Sequence, residues 1–200
     1  VSEAPEKLGR RERKKRDKRR RMLKAARELF VSKGYQKTTT REITEAADVA
    51  TGTLFTYFGD KTQLLRELFL EDIDEVTGDV FETLDREQPV IDQLMAIFDP
   101  MFRYYGSDVP LGREIFQAFM FHGEVDPITQ RFIMRLSSVF EHGKKAGTVR
   151  QDLPSPTAAY SAFALYLSGV MLLLQDNLAE STHRALVRGS LQVMVDGVRA

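Results

Sequence analysis

Apolar residues recur at three- and four-residue intervals along most of this chain, and nowhere do they alternate with polar residues over a strand's length. The pattern begins with Met22, Leu23, Ala26, Leu29 and Phe30, which share one helical face. Two short helices are predicted next. Thr39 and Glu42 form a capping-box pair, the hydroxyl accepting from the amide three residues on and the carboxylate reaching back. Ile43, Ala46 and Ala47 supply that helix's buried face, and it should stop near Asp48. Thr51 is the expected N-cap of the second helix, Leu54 and Phe58 its inward stripe, and Gly59-Asp60 its end. Thr51, Thr53, Phe55, Thr56 and Tyr57 are left facing outward. So many hydroxyls and aromatics suit a surface that meets phosphates and base edges better than one that meets only solvent.

Beyond Lys61 every segment reads as helix. A long one is predicted from Thr62 to Leu84, then Val90 to Tyr105, broken or kinked at Asp99-Pro100. Pro110 to His122 follows. Asp126-Pro127 starts a helix running to about Lys145, and Ser155-Pro156 repeats that start signal before an apolar helix ending near Asp176. Ser181 to Val198 is the last. The expected fold class is all-α, with about nine helices. The stretch from Ala158 to Leu174 is apolar around most of its circumference, yet short for a membrane span and interrupted by Ser161, Ser168 and Gly169. A helix buried in a core or subunit interface accounts for it better. Gly189, Ser190, Val193 and Gly197 give the final helix a small-residue face that permits close approach.

Charge divides the chain. It is neutral overall, with 29 basic and 29 acidic residues, yet residues 1–66 carry 18 Lys and Arg against 9 Asp and Glu, and residues 67–200 carry the reverse excess. Arg10 to Arg21 holds ten basic residues opposed only by Glu12 and Asp17. Such a block repels itself, so its start is expected to be disordered, becoming helical towards Met22. Beside DNA it would displace counterions and add affinity without sequence information, or enter an adjacent minor groove. Lys14, Lys15, Arg16, Lys18, Arg19 and Arg20 are the candidate residues of this arm.

There is no cysteine, which removes disulfides and thiolate chemistry. No secretory signal is expected, because charge occupies the place of an apolar h-region. The three histidines are far apart and outside any metal motif; His122 with Glu124 and Asp126 is the nearest cluster and falls in a predicted loop, so no metal site, cofactor or catalytic group is expected.

The string from Met22 to Leu65, with AARELFVSKGY, TTTREITEAADV and TGTLFTYFGDKTQLL, resembles the DNA-binding domain of TetR-family transcriptional regulators. The likeness covers about the first third of the chain. It implies an N-terminal three-helix helix-turn-helix DNA-binding domain followed by a C-terminal helical ligand-binding and dimerisation domain. The expected boundaries are a basic arm at 1–18, the DNA-binding domain at 19–66 with its motif at 39–58, and the second domain at 67–200. By the same resemblance Thr39 and Thr40 meet phosphates, Arg41 reaches a base or phosphate, and Thr51, Gly52 and Thr53 approach the groove. Tyr57 and Lys61 match phosphate-contacting positions. Phe55 departs from a frequent tyrosine, which exchanges a hydroxyl contact for apolar contact with a thymine methyl or sugar.

The resemblance also implies a homodimer in which the last two helices pair with their copies; Leu165, Gly169, Leu172, Leu186, Gly189, Val193 and Gly197 are the candidate interface residues. Twofold symmetry implies double-stranded DNA with a palindromic operator. The aromatics and methionines of the middle helices are ordinary core material. As a set they could also line a chamber for a lipophilic inducer, and Phe98, Phe102, Tyr105, Phe116, Gln117, Met120 and His122 are its candidates. The expected function is a ligand-released repressor acting in the bacterial cytoplasm at the nucleoid, without a membrane or enzymatic role. A sequence-tolerant architectural DNA-binding protein without an inducer is the alternative.

Overall fold

The computed structural model describes residues 9–120, 127–175 and 178–198. These form nine helices and no β-strand: α1 (Arg10–Lys33), α2 (Thr40–Ala46), α3 (Thr53–Phe58), α4 (Lys61–Thr83), α5 (Val90–Gly106), α6 (Val109–Met120), α7 (Pro127–Lys145), α8 (Ser155–Leu173) and α9 (Glu180–Val198). The chain divides into two compact units, one ending at Phe69 and the other beginning at Leu70, so the division falls inside α4.

In the first unit α1 buries Met22, Leu23, Ala25, Ala26 and Phe30. It ends at Gly34, whose φ of +85° lets the chain leave the helix while its N–H still bonds the Phe30 carbonyl. Thr38 is buried in the link to α2, its hydroxyl donating to the Gly34 carbonyl at 2.8 Å. The basic block is helical from Arg10, where disorder is the expectation from its charge. Arg and Lys are good helix formers, and Asp17 opposes Arg20 at 3.0 Å and Arg21 at 3.3 Å, which relieves the self-repulsion that argued for disorder.

The second unit is organised around α8, which packs on α5, α7 and α9. Its length and composition would suffice to cross a membrane, but here it buries Ala158, Ala159, Ala162, Tyr166 and Val170 in the protein. The Tyr166 ring lies 5.0 Å from that of Phe98, 5.4 Å from Phe102 and 5.8 Å from Phe163, while Phe132 joins Phe81 and Phe163. Gly169 is a point of close approach on α8: a Cβ there would lie 2.9 Å from both Phe102 Cζ and Val187 Cγ2. Of the expected break or kink at Asp99-Pro100, the break does not occur, since α5 continues through Pro100. A proline costs about 3 kcal/mol in a helix interior. Ile97, Phe98, Met101 and Phe102 around it are all buried, at about 1.5–3 kcal/mol each, so packing outweighs the missing backbone bond.

Two expected caps fail. The helix α3 begins at Thr53 with Gly52 at its N-cap, not Thr51, and glycine has no side chain with which to cap. Ser155 lies inside α8, with Pro154 as the flanking residue, and its hydroxyl donates to Glu141 on α7. The expected cap Asp126 lies outside the described residues, as do Asp176 and the His122, Glu124 and Asp126 cluster.

Candidate nucleic-acid interface

The capping box of α2 is complete. The Thr39 hydroxyl accepts from the Glu42 amide at 3.2 Å, and the Glu42 carboxylate accepts from the Thr39 amide at 2.9 Å. Lys33, at the end of α1, closes on the same carboxylate. The Lys33 ammonium and the two Thr39 donors together hold Glu42 down to a pKa of about 2. This fixes the start of α2 against the end of α1, and with it the exposed Thr39 and the half-buried Thr40.

Between α2 and α3 the chain turns on Asp48, which adopts φ +52°, a left-handed conformation that aspartate tolerates better than most residues. The Val49 amide then bonds the Thr44 carbonyl at 3.0 Å, and Arg21 of α1 reaches the Asp48 carbonyl at 3.3 Å. The six-residue α3 buries Leu54 and Phe58. Thr51, Gly52, Phe55 and Thr56 are exposed, and Thr53 and Tyr57 half-buried. Phe55, 51% exposed, is a large apolar ring held in water at the centre of this face. A globular core would bury such a ring; one facing a groove can rest on a thymine methyl.

Arg41 lies on the exposed side of α2, its Nε donating to Glu45 at 2.7 Å, which raises its pKa further. Lys61, expected at a phosphate, is engaged within the first unit. Its ammonium donates to the carbonyls of Tyr35 and Thr38, both at 3.0 Å, and sits 4.1 Å over the Tyr35 ring. It braces the start of α4 against the link between α1 and α2. Among the arm residues Lys14, Lys15, Arg16, Lys18 and Arg20 are exposed. Arg19 is half-buried, donating to Glu67 at 3.0 Å with its guanidinium 6.0 Å from the Phe58 ring centre.

A short recognition-type helix with a solvated aromatic, positioned by a capping box and flanked by a cationic helix, is the geometry of a helix-turn-helix. Residues 22–68 match the family model for bacterial regulatory proteins of the tetR family. The first unit belongs to the TetR family. That is a family of regulatory proteins, not of enzymes. The chain is 36% identical over 72 residues to the uncharacterised HTH-type transcriptional regulator YvkB of Bacillus subtilis, covering 32% of this chain and 38% of that protein. It is 27% identical over 81 residues to the HTH-type transcriptional repressor KstR2 of Mycolicibacterium smegmatis, covering 40% of each. Both alignments thus span about two fifths of the relatives' own lengths. The crystal structure of Thermus thermophilus FadR, a TetR-family repressor in complex with lauroyl-CoA, superposes with a TM-score of 0.71 at 21% identity, covering 90% of this chain and 94% of that one. The fold of the whole chain is therefore that of a TetR-type regulator.

In the second unit the structure brings three of the expected chamber residues together and places three others apart from them. Phe98, Phe102 and Tyr105 are buried on Tyr166, Phe116 is half-buried, Gln117 and Met120 are exposed, and His122 lies outside the described residues. A cleft of about 530 Å³ opens between α5, α8 and α9, its mixed lining including the apolar Met95, Phe102 and Val187 and the charged Asp99, Arg103 and Arg184. His183, buried beside it, shares a hydrogen bond of 2.9 Å with the Gly169 carbonyl and meets the Phe102 ring edge-on. An isolated histidine in a helical pattern gave no signal of this.

The expected interface residues divide in the same way. Leu186, Gly189, Val193 and Gly197 are exposed on α9, Leu165 and Leu172 are half-buried on α8, and Gly169 is inside the subunit. The outer stripe of α8 consists of Tyr160, Ala164, Ser168 and Met171, spaced four, four and three residues apart.

Proposed function

We propose that this chain is a dimeric, ligand-responsive transcriptional repressor that reads a palindromic DNA operator in the bacterial cytoplasm. The observation that carries the DNA reading is the solvent side of α3, where Phe55 and Thr56 are exposed and Thr53 and Tyr57 half-buried, with Arg41 exposed on the neighbouring α2. Thr39, Thr40 and Tyr57 hold phosphates and set register, and Arg41, Thr51, Gly52, Thr53 and Phe55 meet base edges. Arg41 must leave Glu45 to make a bidentate guanine contact, so that contact exchanges an ion pair for two hydrogen bonds to a neutral base edge.

The dimer reading rests on apolar surface without a partner inside the chain. Val193 is 77% exposed, Tyr160 65%, Met171 51% and Leu186 49%, all on α8 and α9. A twofold pairing of these helices buries them and presents two recognition helices to one duplex. The inducer is proposed to be lipophilic with a polar end, matched to the mixed lining of the α5–α8–α9 cleft. A ligand that prefers the DNA-incompetent arrangement shifts the population away from operator binding. The helix α4, common to both units, is the proposed transmission element.

The test is a competition assay with the selected operator and single-base variants. Arg41→Ala is expected to lose about 1–3 kcal/mol of discrimination at one base pair per half-site. If affinity and preference both survive, Arg41 does not read the operator. A sequence-tolerant architectural role instead requires equal binding to every duplex.

A further inference from the structure

The helix α1 is longer than its core requires. Met22, Ala26 and Phe30 lie on its buried face, and at helical spacing that same face continues through Lys18, Lys15 and Arg11, and through Arg19. From Met22 back to Arg11 the helix runs about 16 Å. Along that length the face that should pack on protein carries cations instead. Below it lies a groove of about 940 Å³, whose far wall is Thr56 and Tyr57 of α3. Arg11, Lys14, Lys15, Arg16, Lys18 and Arg19 line the near wall, with Glu12 the single acid. Among the described residues no acid pairs with Arg11, Lys14, Lys15, Arg16 or Lys18.

The overhang is also anchored. Arg19 bonds Glu67 of α4 and lies against Phe58, and Arg21 bonds the turn at Asp48. These interactions fix the direction of α1 just where it leaves the core, so the cations sit at a set distance from the recognition helix. A rigid cationic wall opposite a threonine and a tyrosine hydroxyl is a mould for a linear polyanion. A flexible tail gives the same charge but no groove.

We infer that the groove between the N-terminal turns of α1 and α3 holds one phosphodiester strand of duplex DNA, the strand flanking the groove read by α3, with α1 acting as a helical clamp and not as a loose arm. This rests on the DNA-binding reading above and extends it to a second strip of protein surface, outside the base-reading face. The strip carries no base preference, since phosphates alone meet it.

The test uses the full chain, a mixed-sequence 30-base-pair duplex and the duplex recovered by genomic selection. The triple variant Lys14→Ala/Lys15→Ala/Lys18→Ala is expected to flatten the log-affinity against log-salt slope by about 2.7 per chain, at about 0.9 for each phosphate no longer neutralised. Base preference should stay unchanged, and hydroxyl-radical protection should disappear from the flanking sugars only. Arg16→Pro separates clamp from tail. It breaks the overhang while leaving the rest of α1 to restart at a tolerated N-terminal proline. Relative to Arg16→Ala it is expected to lose flanking protection. Equal binding by Arg16→Pro and Arg16→Ala would overturn the clamp, as would a triple variant with the parent's slope and footprint. Failure of the parent chain to bind either duplex would overturn the DNA-binding reading itself, and the clamp with it.

Discussion

Replacing Lys61 with methionine removes an ammonium while keeping much of its apolar stem. Two charge-assisted hydrogen bonds disappear, to the Tyr35 and Thr38 carbonyls, together with the cation–π interaction over the Tyr35 ring. Hydrogen bonds to charged groups contribute about 1.5–3 kcal/mol each when buried. Lys61 is only half-buried, so water replaces part of that stabilisation, and a net cost of about 2 kcal/mol is expected. In a unit of this size 1 kcal/mol corresponds to about 4–8 °C, so the unfolding midpoint of the DNA-binding unit should fall by about 8–16 °C. Circular dichroism melting of the full chain reports this, and hydrogen exchange at the amides of the link between α1 and α2 localises it. Unchanged melting and exchange would refute the bracing role. A fall of about 0.9 per chain in the salt slope of DNA binding would add a phosphate contact to that role.

The remaining expectations concern the cap, the core and the dimer. Thr39→Ala should destabilise the DNA-binding unit by about 1 kcal/mol at neutral pH, measured by chemical denaturation. Glu42 adds an acid dependence: its folded pKa of about 2 lies below the ordinary 4.5, so its contribution is full above that range and is lost as pH falls towards 2. Helicity followed from pH 5 to pH 2 should show that loss in the parent and less of it in Thr39→Ala. Gly169→Ala places a Cβ 2.9 Å from Phe102 and Val187 and should cost about 1–3 kcal/mol in the second unit, read as a lower melting temperature. Val193→Asp puts a charge in the middle of the exposed α9 stripe and should yield monomers in sedimentation velocity, with DNA affinity falling in step.

Features set by neighbouring residues were legible in the sequence. The Thr39–Glu42 box needs only one turn of chain, and the inward pair Leu54 and Phe58 follows from spacing alone. Features set by tertiary packing were not. Nothing near Pro100 announces that four buried neighbours hold its helix together. Nothing near Ser155 announces Glu141, fourteen residues earlier. The basic arm reads as self-repelling because two of its acidic partners, Glu67 and Asp48, are remote in sequence, while Asp17 is local. The chamber candidates rest on residue type alone, and packing on Tyr166 separates Phe98, Phe102 and Tyr105 from the exposed Gln117 and Met120. Gly169 follows the same logic: small residues permit close approach, and the sequence alone did not say that the approaching partner is Phe102 of the same subunit.

Selection of bound fragments from sheared bacterial genomic DNA at moderate salt, with enrichment read by sequencing, bears most directly on sequence-specific binding by α3. A palindromic site recovered above background is the expected result, with base preference at the positions facing Arg41 and Thr53. Uniform recovery across the genome would contradict it, and would leave the cations of α1 as the source of affinity.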